Sequence, residues 1–450
     1  MKMLFIYPGF GKKKGQKYIF QLRTFEPLTF AYLRALTPYD IECELIDERV
    51  EAIDYNNDAD VVVITLETYT ARHGYEIAKR FREKGKKVII GGTHASLVPD
   101  EAMKHADSVV TGYADDIWGE IIEDYRNGTE KKLYIGGLSN KFLIPDRSIF
   151  KKKYLISVVE TGRGCPHHCE FCAISAVNKK RYAKRPVDSV IEELKHIKSK
   201  YIFFADDNFV ADPKYALELC EKIKPLKKKW ISQGAITMAK NEKLLAAMRD
   251  SGCLFILIGY ESINKEALDN MKKEWSYKLG DIEESTRIIH KYNIGIYATF
   301  VFGFEEKIGT TFEDTVRFAQ KNHLEFVQFN YLVPFPNTEL YFKMEKEGRL
   351  LYKKWWLEPQ KYSYLFFEPY DISTNEFRDR CIAVRYAYHS VKNILGRTFD
   401  VLKRTKNIPF SIMYLFLSFG QKAVIKKFQD LPIGDNLDEK ITVKKVNFMK

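Results

Sequence analysis

Short β-branched and aromatic runs alternate with amphipathic helical stretches twice over in this chain, which restricts it to parallel α/β architectures. The first series fills residues 1–127: KMLFIY, PLTFAYLRAL, ECELID, DVVVIT, a helix from Thr70 to about Arg82, KVIIGG and DSVVTG. It predicts a doubly wound, Rossmann-like parallel sheet whose ligands bind beyond the C-terminal strand ends, in loops beginning at Pro8, Thr65, Gly91 and Gly112. Residues 128–150, with GTEKK, GGLSN and IPDRS, have the composition of a linker. The second series, residues 151–348, places strands at 155–161, 201–206, 230–236, 254–262, 294–303 and 326–333. Six βα units predict a partial (β/α)6 barrel with its chemistry at the strand C-termini. From 349 to 450 the pattern becomes aromatic-rich and helical.

At 450 residues and 45% hydrophobic, the chain is long enough for two or three cores. The net charge of +12 favours anionic partners, although Lys runs such as Lys227–Lys229 read equally as solvated faces, and no nucleic-acid-binding module is legible. The N-terminal apolar run, Met3 to Tyr7, is too short for a signal-peptide core and reads as a buried first strand. Seven cysteines with a single cluster argue against a disulfide framework and for a reducing cytoplasm.

That cluster is Cys165-Pro-His-His-Cys169-Glu-Phe-Cys172, directly after the first strand of the second series. Three thiolates on one loop suit an iron-sulfur cluster with one iron left open. A zinc site is the competing reading, with His167 or His168 as fourth ligand, but its spacing is atypical.

The Cys-x3-Cys-x2-Cys spacing, with Phe171 before the third cysteine, resembles the signature of the radical S-adenosylmethionine (SAM) superfamily. Together with Glu160-Thr161-Gly162-Arg163-Gly164 it resembles the subgroup with an N-terminal cobalamin domain. The segments FFADDNF, WISQGAI and ILIGYES are most similar to the hopanoid C-2 methylase-like branch. The resemblance covers roughly residues 1 to 370 and implies three cofactors: a 4Fe-4S cluster on Cys165, Cys169 and Cys172, SAM, and cobalamin. It assigns SAM contacts to Phe171, Asp206, Asp207, Asn208, Gln233, Glu261, Ser262 and Gly303, the last as a glycine that lets adenine approach backbone. Cobalamin contacts fall on Thr65, Glu67, Thr68, Gly91, Gly92, His94, Gly112 and Tyr113. The first loop, YPGFGKKKGQ, lacks the Asp-x-His-x-x-Gly that supplies a cobalt ligand elsewhere, so cobalamin is expected without histidine ligation from this loop, and His94 as a loop or tail contact rather than a cobalt ligand.

The activity implied is radical C-methylation of an unactivated carbon, on a lipid, isoprenoid or other secondary metabolite, with a reductant such as flavodoxin or ferredoxin. Oxidative cyclisation or rearrangement is the alternative within enzymes, and a non-catalytic cobalamin or iron-sulfur sensor the alternative outside them. A methylthiotransferase would need a second cysteine triad, and only Cys43 precedes residue 165. Tyr260, Tyr297, Tyr331 and Phe335 are candidates to line the cavity or to pack the barrel. No stretch reaches a transmembrane span, the best being Phe410 to Phe419. The run Ile408–Phe419, followed by Lys422, Lys426 and Lys427, reads either as a helix packed on the barrel or as one resting at a membrane interface, which leaves a cytoplasmic protein with or without peripheral membrane contact.

Overall fold

The computed structural model describes residues 1–13, 25–278 and 280–437. Residues 14–16 of the first loop therefore lie outside the described residues. Six parallel strands build the N-terminal sheet: β1 (Lys2–Tyr7), β2 (Glu42–Asp47), β3 (Val61–Thr65), β4 (Lys87–Gly91), β5 (Ser108–Thr111) and β6 (Leu133–Ile135). Their order is β2-β1-β3-β4-β5-β6. Alternate residues feed two cores: Leu4, Ile6, Val62, Ile64, Val88 and Ile90 face one layer, and Met3, Phe5, Val61, Val63 and Ile89 the other. Burial on both faces is why these strands read as unbroken apolar runs.

The stretch with linker composition contributes β6, whose Tyr134 is buried and which pairs in register with β5 from Val109 to Thr111. Three residues among glycines and lysines give no periodic signal, and pairing with an already formed edge is what makes them a strand.

The second sheet is also parallel, in the order β7-β10-β11-β12-β13-β14. Its strands are β7 (Ser157–Val159), β10 (Tyr201–Phe204), β11 (Lys229–Gln233), β12 (Cys253–Glu261), β13 (Gly295–Phe302) and β14 (Phe326–Tyr331). Between β7 and β10 an antiparallel pair, β8 (Gly162–Gly164) and β9 (Tyr182–Lys184), brackets the cysteine loop. Helices such as Val187–His196, Pro213–Ile223 and Thr311–Lys321 bury their apolar faces on this sheet in one continuous core.

The third region is a strap across both domains. Trp355, Trp356 and Phe366 join the N-terminal core, while Phe367, Phe377, Cys381 and Tyr388 join the barrel core. The final helix, Ile408–Phe428, has 21 residues, enough by length and composition to cross a membrane, where the sequence suggested no such span. The apolar run continues through Ala423, Val424 and Ile425, so lysines interrupt the composition without ending the helix. One narrow face packs on the barrel through Ser411, Tyr414 and Ser418, while Phe416 stays 72% exposed and Ile412 50% exposed.

Candidate functional site at the barrel mouth

Cys165, Cys169 and Cys172 occupy the loop leaving β8, at the C-terminal end of β7, and lie close enough for each thiol to raise the cost of ionising another. Burial drives the Cys169 thiol up to about 12, against the pull of the Lys273 ammonium. Among the described residues no three His, Cys, Asp or Glu side chains converge on one point as a single ion would require. A cubane cluster spreads its thiolates over separate irons, so three cysteines around a space fit it without such convergence. The zinc reading loses its fourth ligand: His167 stacks on Trp275 with centroids 3.7 Å apart, and His168 Nε2 lies 2.7 Å from Glu339.

The Asp206-Asp207-Asn208 turn after β10 braces this loop from behind. Both Asp206 oxygens are engaged by Thr161, one accepting its backbone N–H at 2.7 Å and the other its hydroxyl. Burial lifts the Asp206 carboxyl to about 7. Asp207 accepts the Gly164 N–H at 2.9 Å. Asn208 accepts from Ala235 N at 3.2 Å and turns its amide nitrogen toward Cys165 Sγ, 4.0 Å away. Each Asp206 oxygen thus already accepts one hydrogen bond, one from the Thr161 backbone and one from its side chain.

The ends of β11 to β13 supply the rest of the rim. Gln233 is half-buried, and its side chain forms no hydrogen bond among the described residues. Glu261, at φ 61°, receives Lys273 Nζ at 2.8 Å, which places a buried cation beside Cys169. Ser262 donates to Glu305 at 3.4 Å, and Glu305 also accepts the Gly303 N–H at 2.9 Å. Burial raises the Glu305 carboxyl, and no cation pairs with it among the described residues. Gly303, at φ 123°, serves the strap: a Cβ there would meet Phe367 Cζ at 2.6 Å. Sequence reading missed Lys273 and Glu305; the carboxylate two residues after Gly303 was the available signal, whereas Lys273 looks like any surface lysine.

Facing this rim are the strand-end loops of the N-terminal domain. Thr65 and Gly91 are half-buried there, and a Cβ on Gly91 would meet nothing nearer than 3.7 Å. Glu67 caps the turn that follows β3 and accepts from the Tyr7 hydroxyl at 3.1 Å. Thr68 lies 3.3 Å from His94 Nδ1, and His94, wholly buried, faces Glu101 at 3.4 Å and Trp356 edge-on. Gly92 and Gly112 have positive φ, and a Cβ on either would also strike the backbone of Leu66 or Gly136. Tyr113 accepts from Asn178 at 3.3 Å, and Arg163 pairs across the domain junction with Asp115 at 2.9 Å and within the barrel with Glu160 at 2.7 Å.

Between the two sets of strand ends lies a cavity of 280 Å³ reached by Tyr69, Phe171, Tyr331, Phe335, Tyr362 and Arg385. Of the four aromatics singled out in the sequence, Tyr331 and Phe335 line it. Tyr260 hydrogen-bonds Thr286 at 2.6 Å and Tyr297 bonds Gln328 at 2.8 Å, both as packing residues.

Residues 159–319 match the radical SAM superfamily model. The bacteriochlorophyllide d C-12(1)-methyltransferase of Chlorobaculum tepidum is 30% identical over 389 residues, covering 82% of this chain and 84% of that protein. The hopanoid C-2 methylase of Rhodopseudomonas palustris is 23% identical, over 72% of this chain and 65% of that one. Among solved structures, the radical SAM methyltransferase TsrM of Kitasatospora setae, with cobalamin and a 4Fe-4S cluster bound, superposes with TM-score 0.60 at 15% identity, covering 77% of this chain and 78% of that one.

Proposed function

The chain belongs to the radical SAM superfamily, and from that membership we propose that it is a cobalamin-dependent C-methyltransferase acting on an unactivated carbon of a small molecule. The observation that carries this reading is the position of the three cysteines, held at the barrel mouth opposite the strand-end loops of a complete second α/β domain. When bound, the cluster and SAM supply a 5'-deoxyadenosyl radical for hydrogen abstraction, and cobalamin supplies the methyl group. Cys165, Cys169 and Cys172 would hold the cluster, with Asp206, Asp207 and Asn208 fixing their loop. Gln233, Ser262 and Glu305 are the polar groups of the barrel rim that would meet SAM, and the loops at Thr65, Gly91 and Tyr113 would meet the corrin. The Lys273 ammonium stabilises negative charge on the cysteine side of the site, and the aromatic walls exclude water from it.

The reductant is external, of the flavodoxin or ferredoxin class. The substrate is a flat conjugated metabolite or a lipid or isoprenoid. For contact with an anionic membrane surface the supporting observation is the exposed apolar face of Ile408–Phe428, in a stretch whose sequence carries Lys403, Lys406, Lys422, Lys426 and Lys427 and no acidic residue between Asp400 and Asp430.

Anaerobic reconstitution with iron, sulfide and cobalamin, followed by assay of 5'-deoxyadenosine and S-adenosylhomocysteine with SAM and a strong reductant, tests the reading. Both products, with retained corrin absorbance, are expected. 5'-Deoxyadenosine alone would replace methylation with cyclisation or rearrangement, and neither product would leave a sensor.

A further inference from the structure

The cavity at the domain junction contains a charge that the protein itself does not balance. Arg385 projects from the helix Thr374–Tyr388, its Nε donating to the Phe329 carbonyl at 2.7 Å and its guanidinium 5.8 Å from the Tyr331 ring centroid. The titratable side chains around it are Cys381, Tyr331 and Tyr362, none of them a carboxylate, and among the described residues it forms no ion pair. The other interior arginines differ. Arg147, Arg163, Arg185 and Arg404 each meet a carboxylate. Arg397 has none, but its Nε and Nη1 are taken up by the Tyr414 hydroxyl and the Tyr388 carbonyl. An interior cation facing a cavity without an acid is costly unless an anion arrives to pair with it.

Further donors converge on the same space. The hydroxyls of Tyr69 and Tyr362 form no hydrogen bond among the described residues, and the ionisation of Tyr69, opposed first by burial, is sensitive to Tyr331, Tyr362 and Arg385. The walls are ring faces and edges: Tyr69 stands 6.2 Å from Phe335 and 6.0 Å from Tyr362, centroid to centroid. Phe171 places the space beside Cys172, and Tyr69, in the turn after β3, places it beside the N-terminal domain.

We propose that Arg385, with the Tyr69 and Tyr362 hydroxyls, binds a carboxylate of a flat conjugated substrate in this cavity. A guanidinium fork matches the two oxygens of a carboxylate, and one cation balances one negative charge, whereas a phosphate dianion would remain half unbalanced. Aromatic walls select a planar partner over a saturated chain by offset and edge contacts. The proposal rests on the methyltransferase reading, since it is the position between the two cofactor-bearing ends that makes the bound molecule a substrate.

The test uses the full, anaerobically reconstituted protein and two probes, a naphthalene carboxylate and its uncharged carboxamide, with binding followed by calorimetry. The carboxylate is expected to bind about tenfold or more tighter than the carboxamide, the margin of a charge-assisted pair. Arg385→Gln abolishes that preference and Arg385→Lys keeps part of it, while melting curves confirm that both variants fold. Tyr69→Phe and Tyr362→Phe each narrow it by several-fold. No carboxylate binding, equal affinity for the two probes, or a preference that survives Arg385→Gln overturns the proposal. 5'-Deoxyadenosine formation by the wild type, measured without either probe, reports separately on the methyltransferase reading.

Discussion

Replacing Asp206 by Asn tests how the cysteine loop is held. Asp206 accepts two hydrogen bonds from Thr161, and Thr161 in turn receives Tyr215 Oη at 3.1 Å and Arg185 N at 2.8 Å on its carbonyl. An Asn side chain keeps one acceptor and presents its NH2 to the other donor, leaving one buried donor unmatched in a site with Asp206 only 1% exposed. That loss is worth about 2 kcal/mol, or a fall in melting temperature of roughly 4–8 °C for a domain of the barrel's size. Because β8 begins at Gly162, the loosened Thr161 also frees Cys165, so iron and sulfide bound per chain after reconstitution should fall with the stability. The effect carries a pH signature. Asp206 titrates at about 7 when folded against 3.8 as a free side chain, so the stability linked to its proton is fully present below about 4 and lost as pH rises through about 7. The gap between wild type and Asp206→Asn should therefore narrow from pH 5 to pH 8. A double-mutant cycle with Thr161→Val should show coupling, since both changes remove the same bond. An Asp206→Asn protein that melts with the wild type and binds the same iron would refute this account of the loop.

Three other perturbations have defined outcomes. Glu325, 2% exposed, is drawn down to about 2: burial opposes its ionisation, but His290, Arg404 and the Ile296 N–H outweigh it. Its contribution is present above 4.5 and lost as pH falls through about 2, so Glu325→Gln should cost about 3 kcal/mol near pH 7 and progressively less in acid, read from denaturant midpoints; a pH-independent difference would contradict this. Gly303→Ala should destabilise by about 2 kcal/mol or more through its positive φ and the Phe367 ring, and Phe367→Leu in the same chain should recover part of the loss in thermal melts. Phe416→Glu should reduce co-sedimentation with phosphatidylglycerol vesicles about tenfold or more while leaving the melting temperature unchanged, and equal binding by both proteins would remove the membrane reading.

Much of the fold was legible because its signals are local. Apolar runs such as DVVVIT and LFILIG are strands in any parallel sheet, and CxxxCxxC after a strand specifies three thiols on one loop. The details of the site were less legible. Asp206 reads as a carboxylate at a strand end, and only the position of Thr161 turns it inward. Gly303 reads as a ligand-approach glycine until the strap places Phe367 against it. Lys273 and Arg385 carry no motif at all, since their meaning comes from neighbours 12 or more residues away: Lys273 from Glu261, Arg385 from Phe329.

The sequence by itself therefore determined the two βα series, the cysteine triad and their order along the chain, because strand periodicity and motif spacing involve residues close in sequence. Tertiary structure alone decided which polar groups remain free at the junction. Hydrogen bonds between distant segments consume Asp206 and Asp207, an ion pair consumes Glu261, and packing of the strap leaves Arg385, Tyr69 and Tyr362 facing one cavity. Such satisfaction is a property of three-dimensional neighbours, and residue type does not encode it.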